Sequence, residues 1–310
     1  MNEILENIKQ FYRDYVRLID RFILYSLLLF TILGCCLMLI NARGTHYTGW
    51  QYIHSMALLI IISMALFWIA GLYIYDIVPR IATVIRTIGI GVLLSTASLW
   101  LASGIQYTPF PAIDKFLLTM DYRMGIHLRT LMQWTCTHQY IKEIFNFAYN
   151  SIAYQLVAIP ILAALFLERN AINIYFVSVV ISFLIGTMLY YFFPTAAPVS
   201  VVSSQFFQFE QHETYLKFFE IHHQLPVTTG EGGMISFPSF HVIWITLVTY
   251  LTLSKKWLFY PLVLFNIVTI ASTVFLGWHY FADVLSGLAL SAIGIWLAHW
   301  IYRRYNLGES

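Results

Sequence analysis

Eight apolar stretches dominate this 310-residue sequence, and each is long enough to cross a membrane as a helix. Only 10% of the residues are charged, whereas 59% are hydrophobic. A soluble domain cannot bury so much apolar surface, and no basic face for nucleic acid is present. The sequence therefore predicts an all-α integral membrane protein with about eight transmembrane helices. The predicted segments are 22–41, 53–75, 84–105, 145–167, 172–193, 236–253, 258–276 and 284–303.

The lysines and arginines between these segments predict the orientation of the chain. With a cytoplasmic N-terminus, the inner side holds eleven of the 17 lysines and arginines, and the inner loops are the short ones. Both termini, including the tail 304–310, are therefore predicted to be cytoplasmic. Residues 1–21 are expected to form an amphipathic helix on the inner surface. Its apolar face would hold Ile4, Ile8, Phe11, Tyr12, Tyr15 and Ile19.

Three ionisable side chains lie at the ends of the last apolar segments. His241 closes the stretch Ser236-Phe237-Pro238-Ser239-Phe240-His241, and His279 and Asp283 lie four residues apart just before the last segment. Between the two histidines the chain crosses the membrane twice, so both histidines are expected at the same interface. If residues 279–283 are helical, His279 and Asp283 share one helical face.

Two histidines and one carboxylate at one interface can supply a nucleophile, its orienting partner and a general acid. A carboxylate beside an imidazole fixes its tautomer and makes the other ring nitrogen more nucleophilic. For either histidine alone, the alternative is an interfacial side chain with satisfied hydrogen bonds. His212, His222 and His223 have no acidic or cysteine partner at ligand spacing, so no metal and no cofactor is predicted.

Around these residues the sequence resembles the type-2 phosphatidic acid phosphatase superfamily. Pro238-Ser239-Phe240-His241 is similar to its Pro-Ser-x-His motif, and Ser272 through Asp283 resembles its Ser-Arg-x5-His-x3-Asp motif. The stretch from Tyr190 to Pro198, with Phe193-Pro194-Thr195-Ala196-Ala197-Pro198, resembles the Phe-Pro-Thr-Ala-Pro-Pro sequence of the inositol phosphorylceramide synthase branch.

This resemblance implies a six-helix catalytic core over residues 84–303, with two additional N-terminal helices in 22–83. It further implies that His279 attacks phosphorus to form phosphohistidine, that Asp283 orients His279, and that His241 is the general acid and then the general base. A helix N-terminus is also a suitable site for phosphate oxygens. The implied substrate-binding residues are Ser239, Tyr190, Pro194 and Thr195.

The sequence lacks cations that the phosphatase motifs contain. No lysine or arginine occurs between Arg169 and Lys217, and Thr273 stands where the third motif has arginine. A phosphate monoester carries nearly two charges and normally needs a lysine or arginine clamp, whereas a diester carries one charge. The missing clamp therefore favours a phosphodiester donor. The alternative is that Arg123, Arg129 or Lys142, from an outer segment, folds over the site and binds the phosphate.

The favoured function is transfer of a phosphoryl headgroup from a lipid phosphodiester to a lipid acceptor, as in inositol phosphorylceramide synthases. Hydrolysis of a phosphatidic-acid-like or polyprenyl phosphate monoester, with water as acceptor, is the first alternative. A transporter that uses interfacial histidines is the second. The compact loops favour a bacterial inner membrane with the site on the periplasmic face, although a Golgi protein would have the same pattern.

Overall fold

A computed structural model describes residues 18–44, 57–166, 169–229 and 235–304 of the chain. Within these ranges it contains eleven α-helices, one short 3₁₀ turn at Pro198–Ser200 and no strand. Most of residues 1–21, predicted to form an amphipathic helix, lies outside the described residues. The helices are α1 (Leu18–Gly44), α2 (Ala57–Tyr73), α3 (Pro79–Ile105), α4 (Asp114–Arg123), α5 (Leu128–Thr137), α6 (Gln139–Phe166), α7 (Arg169–Phe192), α8 (Phe209–His222), α9 (Phe240–Leu251), α10 (Lys256–Phe275) and α11 (Phe281–Arg304).

Six of the described helices are long and apolar enough to cross a membrane, namely α1, α3, α6, α7, α10 and α11. The two remaining predicted segments, 53–75 and 236–253, coincide with the shorter apolar helices α2 and α9. The predicted all-α membrane architecture is therefore confirmed. The segment predicted at 236–253 is shorter as a helix than the sequence suggested, because α9 covers Phe240–Leu251, and residues 53–56 of the other segment lie outside the described residues.

The sixth predicted segment begins later than expected, and the reason is local. It was expected to start at residue 236, but α9 begins at Phe240. The residue before a proline is disfavoured in the helical conformation, so Pro238 disfavours a helix that includes Phe237, and the chain bends at these two residues. Ser239 then acts as the N-cap of α9, because its side chain accepts a hydrogen bond from the backbone N–H of Val242.

The helices pack in two groups that share α3. Helices α1 and α2 pack mainly against α3, while α7 packs against α9 and α11, and α10 packs against α6. Helix α3 also contacts α6 and α7, so it joins the N-terminal pair to the remaining helices. The short helices α4 and α5 lie at the end of the bundle where α9 and α11 begin, and they contact α10 and α11.

A buried cluster of charged side chains connects helices at the end of the bundle opposite to α4 and α5. Asp20 of α1 accepts hydrogen bonds from Nε and Nη2 of Arg86 at 2.9 and 2.7 Å, and Arg86 is 1% exposed. Trp68 of α2 donates its indole N–H to the same carboxylate at 3.3 Å, and Arg169 of α7 lies 3.8 Å away. One carboxylate therefore links four helices. Arg86, one of the eleven cations counted on the inner side from the sequence, is buried inside the protein.

Removal of Asp20 is expected to destabilise the protein strongly. Asp20→Ala leaves the Arg86 guanidinium buried without its counter-charge, a change that typically costs about 3–5 kcal/mol. Thermal unfolding in detergent, followed by tryptophan fluorescence, measures the effect. The control is Asp76→Ala, because Asp76 is exposed just before α3.

The double variant Asp20→Asn/Arg86→Gln provides a second check, because it removes both charges together. It should be more stable than Asp20→Ala. Equal melting temperatures for Asp20→Ala and Asp76→Ala would contradict the assignment of this cluster as a structural link.

Candidate active site

His279 is positioned by the turn that ends α10. Gly277 has a φ of +81°, a left-handed conformation that suits glycine at a helix C-terminus. The N–H of Gly277 donates to the carbonyl of Val274, and the N–H of Trp278 donates to the carbonyl of Thr273. These two bonds form a Schellman motif, and the N–H of His279 also donates to Thr273 at 3.0 Å. The backbone of Thr273 therefore holds the turn that presents Trp278 and His279.

Asp283 reaches His279 from the first turn of the next helix. Helix α11 begins at Phe281, so His279 precedes it and the two residues do not lie on one helix as the sequence suggested. Instead, Asp283 Oδ2 accepts the N–H of Tyr280 at 3.1 Å, as the third helical residue does in a capping box. The same oxygen lies 3.2 Å from His279 Nδ1 and 3.4 Å from the hydroxyl of Ser236.

His241 lies in the first turn of α9, beside the start of α11. The N–H of Ser239 donates to the backbone carbonyl of Asp283 at 3.3 Å, which joins the two helix starts. Gly287 permits this approach, because a Cβ at that position would lie only 2.8 Å from the carbonyl oxygen of Ser239. The closeness of the two helix starts brings His241 and His279 together, as predicted from the two membrane crossings between them.

The three predicted catalytic residues form one chain of hydrogen bonds. His241 Nδ1 lies 3.0 Å from His279 Nε2, and His279 Nδ1 faces Asp283. An ionised carboxylate only accepts, so His279 carries its proton on Nδ1 and directs the Nε2 lone pair towards His241. His241 then donates from Nδ1, and its Nε2 faces the hydroxyl of Tyr149 at 3.4 Å. The chain leaves Nε2 of His279 without a proton, with its lone pair facing His241.

Burial favours the neutral form of His279. The side chain is 3% exposed, and desolvation lowers the pKa of His279 below its ordinary value of 6.5. A neutral imidazole has a lone pair available for attack, whereas an imidazolium does not.

Two further aspartates, which the sequence analysis missed, hold this arrangement from α4. Asp121 accepts the backbone N–H groups of Phe281 and Ala282 at 2.8 and 3.0 Å. These groups belong to the first turn of α11 and have no partner within the helix. Asp114 accepts the hydroxyl of Tyr280 at 3.0 Å and the N–H of Ala196 at 2.9 Å. Both carboxylates therefore fix the backbone around His279 and Asp283.

The spacing of Asp114 and Asp121 is a sequence signal for one shared helical face, but not for the groups that they contact. Asp114, Leu117 and Asp121 follow helical spacing and are all buried, so α4 turns two carboxylates towards the protein. Burial raises the pKa of Asp114 to about 6, and the hydrogen bond from Ala196 opposes that rise. A short polar helix that buries two carboxylates indicates that they accept specific hydrogen bonds.

The histidine pair lines a cavity of about 270 Å³. Among the predicted substrate-binding residues, Thr195 lines this cavity, and its hydroxyl accepts the N–H of Phe237 at 3.0 Å. Ser239 is fully buried as the N-cap of α9 and does not line the cavity, nor do the buried Pro194 and Tyr190. The described lining residues are Gln106, Tyr149, Thr195, Ala197, Glu210, Thr214, Phe218, Ile235, Ser236, His241, Trp278 and His279.

Arg123 and Arg129, predicted as phosphate ligands, are exposed. They lie on the short helices α4 and α5, Lys142 lies on α6, and none of the three lines the cavity. The structure thus brings His241, His279 and Asp283 together, whereas the two arginines lie apart from them. Tyr149 and Trp278, which the sequence analysis did not single out, stack face to face beside the histidines, with centroids 5.3 Å apart.

The fold and the site define a helical membrane protein with a buried Asp–His–His chain beside one cavity. A family model described as the PAP2 superfamily matches residues 115–297, more than half of the chain. The chain therefore belongs to the PAP2 superfamily, whose members are phosphatases and phosphotransferases. No match was found among curated proteins or among solved structures. The resemblance to this superfamily is thus confirmed, whereas the inositol phosphorylceramide synthase branch stays a prediction.

Asp121→Ala is expected to lower turnover while leaving a folded protein. The substitution leaves two backbone N–H groups of α11 without acceptors, which costs about 1–3 kcal/mol and loosens the helix start that carries Asp283. We expect kcat on a lipid phosphate to fall at least tenfold, with a smaller loss for Asp121→Asn, which keeps one acceptor oxygen. Thr119→Ala, at an exposed position of the same helix, is the matched control. An unchanged kcat for Asp121→Ala would remove Asp121 from the positioning role.

Proposed function

We propose that the protein is a lipid phosphotransferase that moves a phosphoryl headgroup through a phosphohistidine intermediate. The observation that carries this proposal is the hydrogen-bond chain from Asp283 through His279 to His241, with contacts of 3.2 and 3.0 Å. It leaves one nucleophilic nitrogen facing one proton donor beside a cavity. Membership of the PAP2 superfamily supports phosphatase or phosphotransferase chemistry in general.

In the first step, His279 Nε2 attacks phosphorus while the bond to the lipid alcohol breaks. Asp283 stabilises the positive charge that develops on His279. The departing oxygen takes a proton from His241, whose Nδ1–H is directed at His279 and thus at the reacting centre. An anionic phosphate beside His241 stabilises its imidazolium, which is the acid form. The first lipid product is an alcohol, and the headgroup phosphate remains on His279.

In the second step, His241 acts as the base. It removes a proton from the acceptor hydroxyl, whose oxygen attacks phosphorus while the bond to His279 breaks. A lipid alcohol as acceptor gives a phosphotransferase. Water releases the phosphorylated headgroup from a phosphodiester donor, and it gives a phosphatase when the donor is a monoester and inorganic phosphate is released. Each of these two displacements has a lower barrier than a single direct transfer from donor to acceptor. We favour the transferase because the described cavity lining contains no lysine or arginine to clamp a monoester dianion.

His279→Ala is expected to abolish turnover, because the phosphoryl group then has no covalent acceptor on the protein. We expect a loss of more than about a thousandfold in kcat. Asp283→Asn should retain a small residual rate, because the nucleophile survives in a poorer tautomer. The assay follows diacylglycerol release from a labelled phospholipid by protein in detergent, with and without an added lipid alcohol.

The control for these variants is His138→Ala, at an exposed histidine outside the cavity lining. Activity of His279→Ala within tenfold of the wild type would exclude His279 as the nucleophile. Product formation that depends on the lipid alcohol indicates transfer, whereas release of a free phosphorylated headgroup indicates hydrolysis.

We also propose that the site faces the non-cytoplasmic side of a bacterial inner membrane. Ser204 lies at the end of the bundle that holds the histidines, and Ser254 lies in the turn between α9 and α10 at the other end. In a background without the three native cysteines, Ser204→Cys should react with an impermeant maleimide in intact cells. Ser254→Cys should react only after permeabilisation. The reverse pattern would place the site in the cytoplasm.

A further inference from the structure

Tyr149 of α6 connects the turn that presents His279 with the ring of His241. Its own ring stacks on Trp278 of that turn, with centroids 5.3 Å apart and ring planes 8° apart. The same ring lies beside His241, with centroids 5.2 Å apart, and its hydroxyl lies 3.4 Å from Nε2 of His241. Proton transfer in the reaction uses Nδ1 of His241, so Tyr149 contacts the ring nitrogen that faces away from the reacting centre.

Two aromatic contacts define where the hydroxyl of Tyr149 points. Phe145 and Tyr149 lie four residues apart on one face of α6. Phe145 packs against Phe275 at the end of α10, with centroids 5.1 Å apart, and Tyr149 packs against Trp278 three residues later. Stacking fixes the plane of a tyrosine ring, and the phenol oxygen lies in that plane. The turn after α10 therefore also places the phenol oxygen at His241.

Each ring nitrogen of His241 has a partner among the described residues. Nδ1 faces Nε2 of His279 at 3.0 Å, and Nε2 faces the hydroxyl of Tyr149. Neutral His241 carries its proton on Nδ1, so the phenol donates to Nε2 before a phosphate is bound. A tyrosine hydroxyl can also accept, because rotation about its C–O bond exchanges donor for acceptor without movement of the ring. Tyr149 thus suits both the neutral ring and the imidazolium of His241.

The first reaction step needs a proton on both nitrogens of His241. A neutral imidazole is a poor acid, because loss of its Nδ1 proton leaves an anionic ring. The second proton enters from water when the anionic phosphate binds, since the phosphate stabilises the imidazolium. The Nε2–H of this imidazolium donates to the oxygen of Tyr149. When Nδ1 passes its proton to the departing oxygen, the Nε2 proton stays and His241 becomes neutral.

The position of this remaining proton prepares His241 for the second step. With Nε2–H donated to Tyr149, the lone pair of Nδ1 faces the phosphorus on His279. Nδ1 then removes the proton from the acceptor hydroxyl while the bond from phosphorus to His279 breaks, which restores the imidazolium. The other tautomer would carry its proton on Nδ1 and leave no base at the reacting centre. An oxygen that accepts from Nε2 therefore favours the productive tautomer.

We propose that Tyr149 is a positioning residue for His241, and that its hydroxyl accepts the Nε2 proton and thereby keeps proton transfer on Nδ1 in both steps. This proposal rests on the proposed function and deepens it. Trp278 supports the phenol ring by stacking. Tyr149 acts through His241 and not on the phosphate itself, and its phenol stays neutral throughout the reaction.

The test compares two leaving groups on one headgroup. The lipid donor is phosphatidylinositol or phosphatidylglycerol, whichever the wild type cleaves faster in detergent, and the second donor is the p-nitrophenyl ester of the same headgroup phosphate. Nitrophenolate leaves without a proton, whereas diacylglycerol needs one from His241. We expect Tyr149→Phe, which keeps the ring stack, to lower kcat for diacylglycerol release about tenfold with little change in KM. Its first-turnover burst of nitrophenolate should match that of the wild type, which also shows that the variant is folded.

Tyr154→Phe is the matched control, because Tyr154 lies on the same helix, is 77% exposed and does not line the cavity. It should behave as the wild type with both donors. His241→Ala should show the same selective loss as Tyr149→Phe, but a larger one. Equal losses of Tyr149→Phe with both donors would indicate a purely structural role, and a loss confined to KM would indicate substrate binding. Either result, or no loss at all, would overturn the assignment.

The two proposals fail in different ways. If folded wild-type protein releases neither diacylglycerol nor nitrophenolate from these donors, the phosphotransferase proposal fails. If release depends on His279 and His241, but Tyr149→Phe does not distinguish the two leaving groups, only the role of Tyr149 is rejected.

Discussion

The contact between Asp283 and His279 is the interaction on which the rest of the site depends. It defines which ring nitrogen of His279 carries a proton, and it thereby directs the other nitrogen towards His241. The contact forms because α10 ends in a left-handed glycine and α11 begins two residues after His279. One carboxylate thus caps the start of α11 and orients the ring of His279, since Asp283 also accepts the N–H of Tyr280.

Buried carboxylates organise both ends of the helix bundle. At one end, Asp114 and Asp121 of α4 accept hydrogen bonds from backbone and tyrosine groups around the site. At the other end, Asp20 pairs with Arg86 and joins the N-terminal helices to α3. Apolar contacts between helices have little directional preference in lipid, so polar contacts define how the helices meet. The site is therefore held by hydrogen bonds to backbone N–H groups as well as by packing.

The predictable part of this protein follows from two kinds of signal. Long apolar segments predicted the membrane helices, because segment length and composition are local properties of the sequence. The two membrane crossings between His241 and His279 predicted that these histidines lie close together, because the number of crossings determines the side to which the chain returns. The contact of Asp283 with His279 was also predicted, but for the wrong reason: His279 lies in a turn, and the side chain of Asp283 reaches back to it. Spacing alone does not distinguish a shared helical face from a cap.

Other parts of the site could not be read from the sequence. Asp121 accepts a hydrogen bond from the backbone N–H of Phe281, which is 160 residues away in the sequence, and no local sequence pattern predicts such a contact. Glu210 lies on a polar helix between two apolar segments; it is exposed and also lines the cavity. Arg123 and Arg129 illustrate the opposite case, because each was expected near phosphate but is exposed on a short helix and does not line the cavity.

The covalent intermediate is the central claim, and mass spectrometry of acid-free, rapidly quenched protein tests it most directly. Protein mixed with a phospholipid donor, without an acceptor alcohol, should gain the mass of one phosphorylated headgroup. The adduct should map to His279, resist base and be lost in acid, as a phosphorus–nitrogen bond requires. His279→Ala should gain no such mass. Diacylglycerol release by the wild type without any adduct, or an adduct on a residue other than His279, would contradict the account.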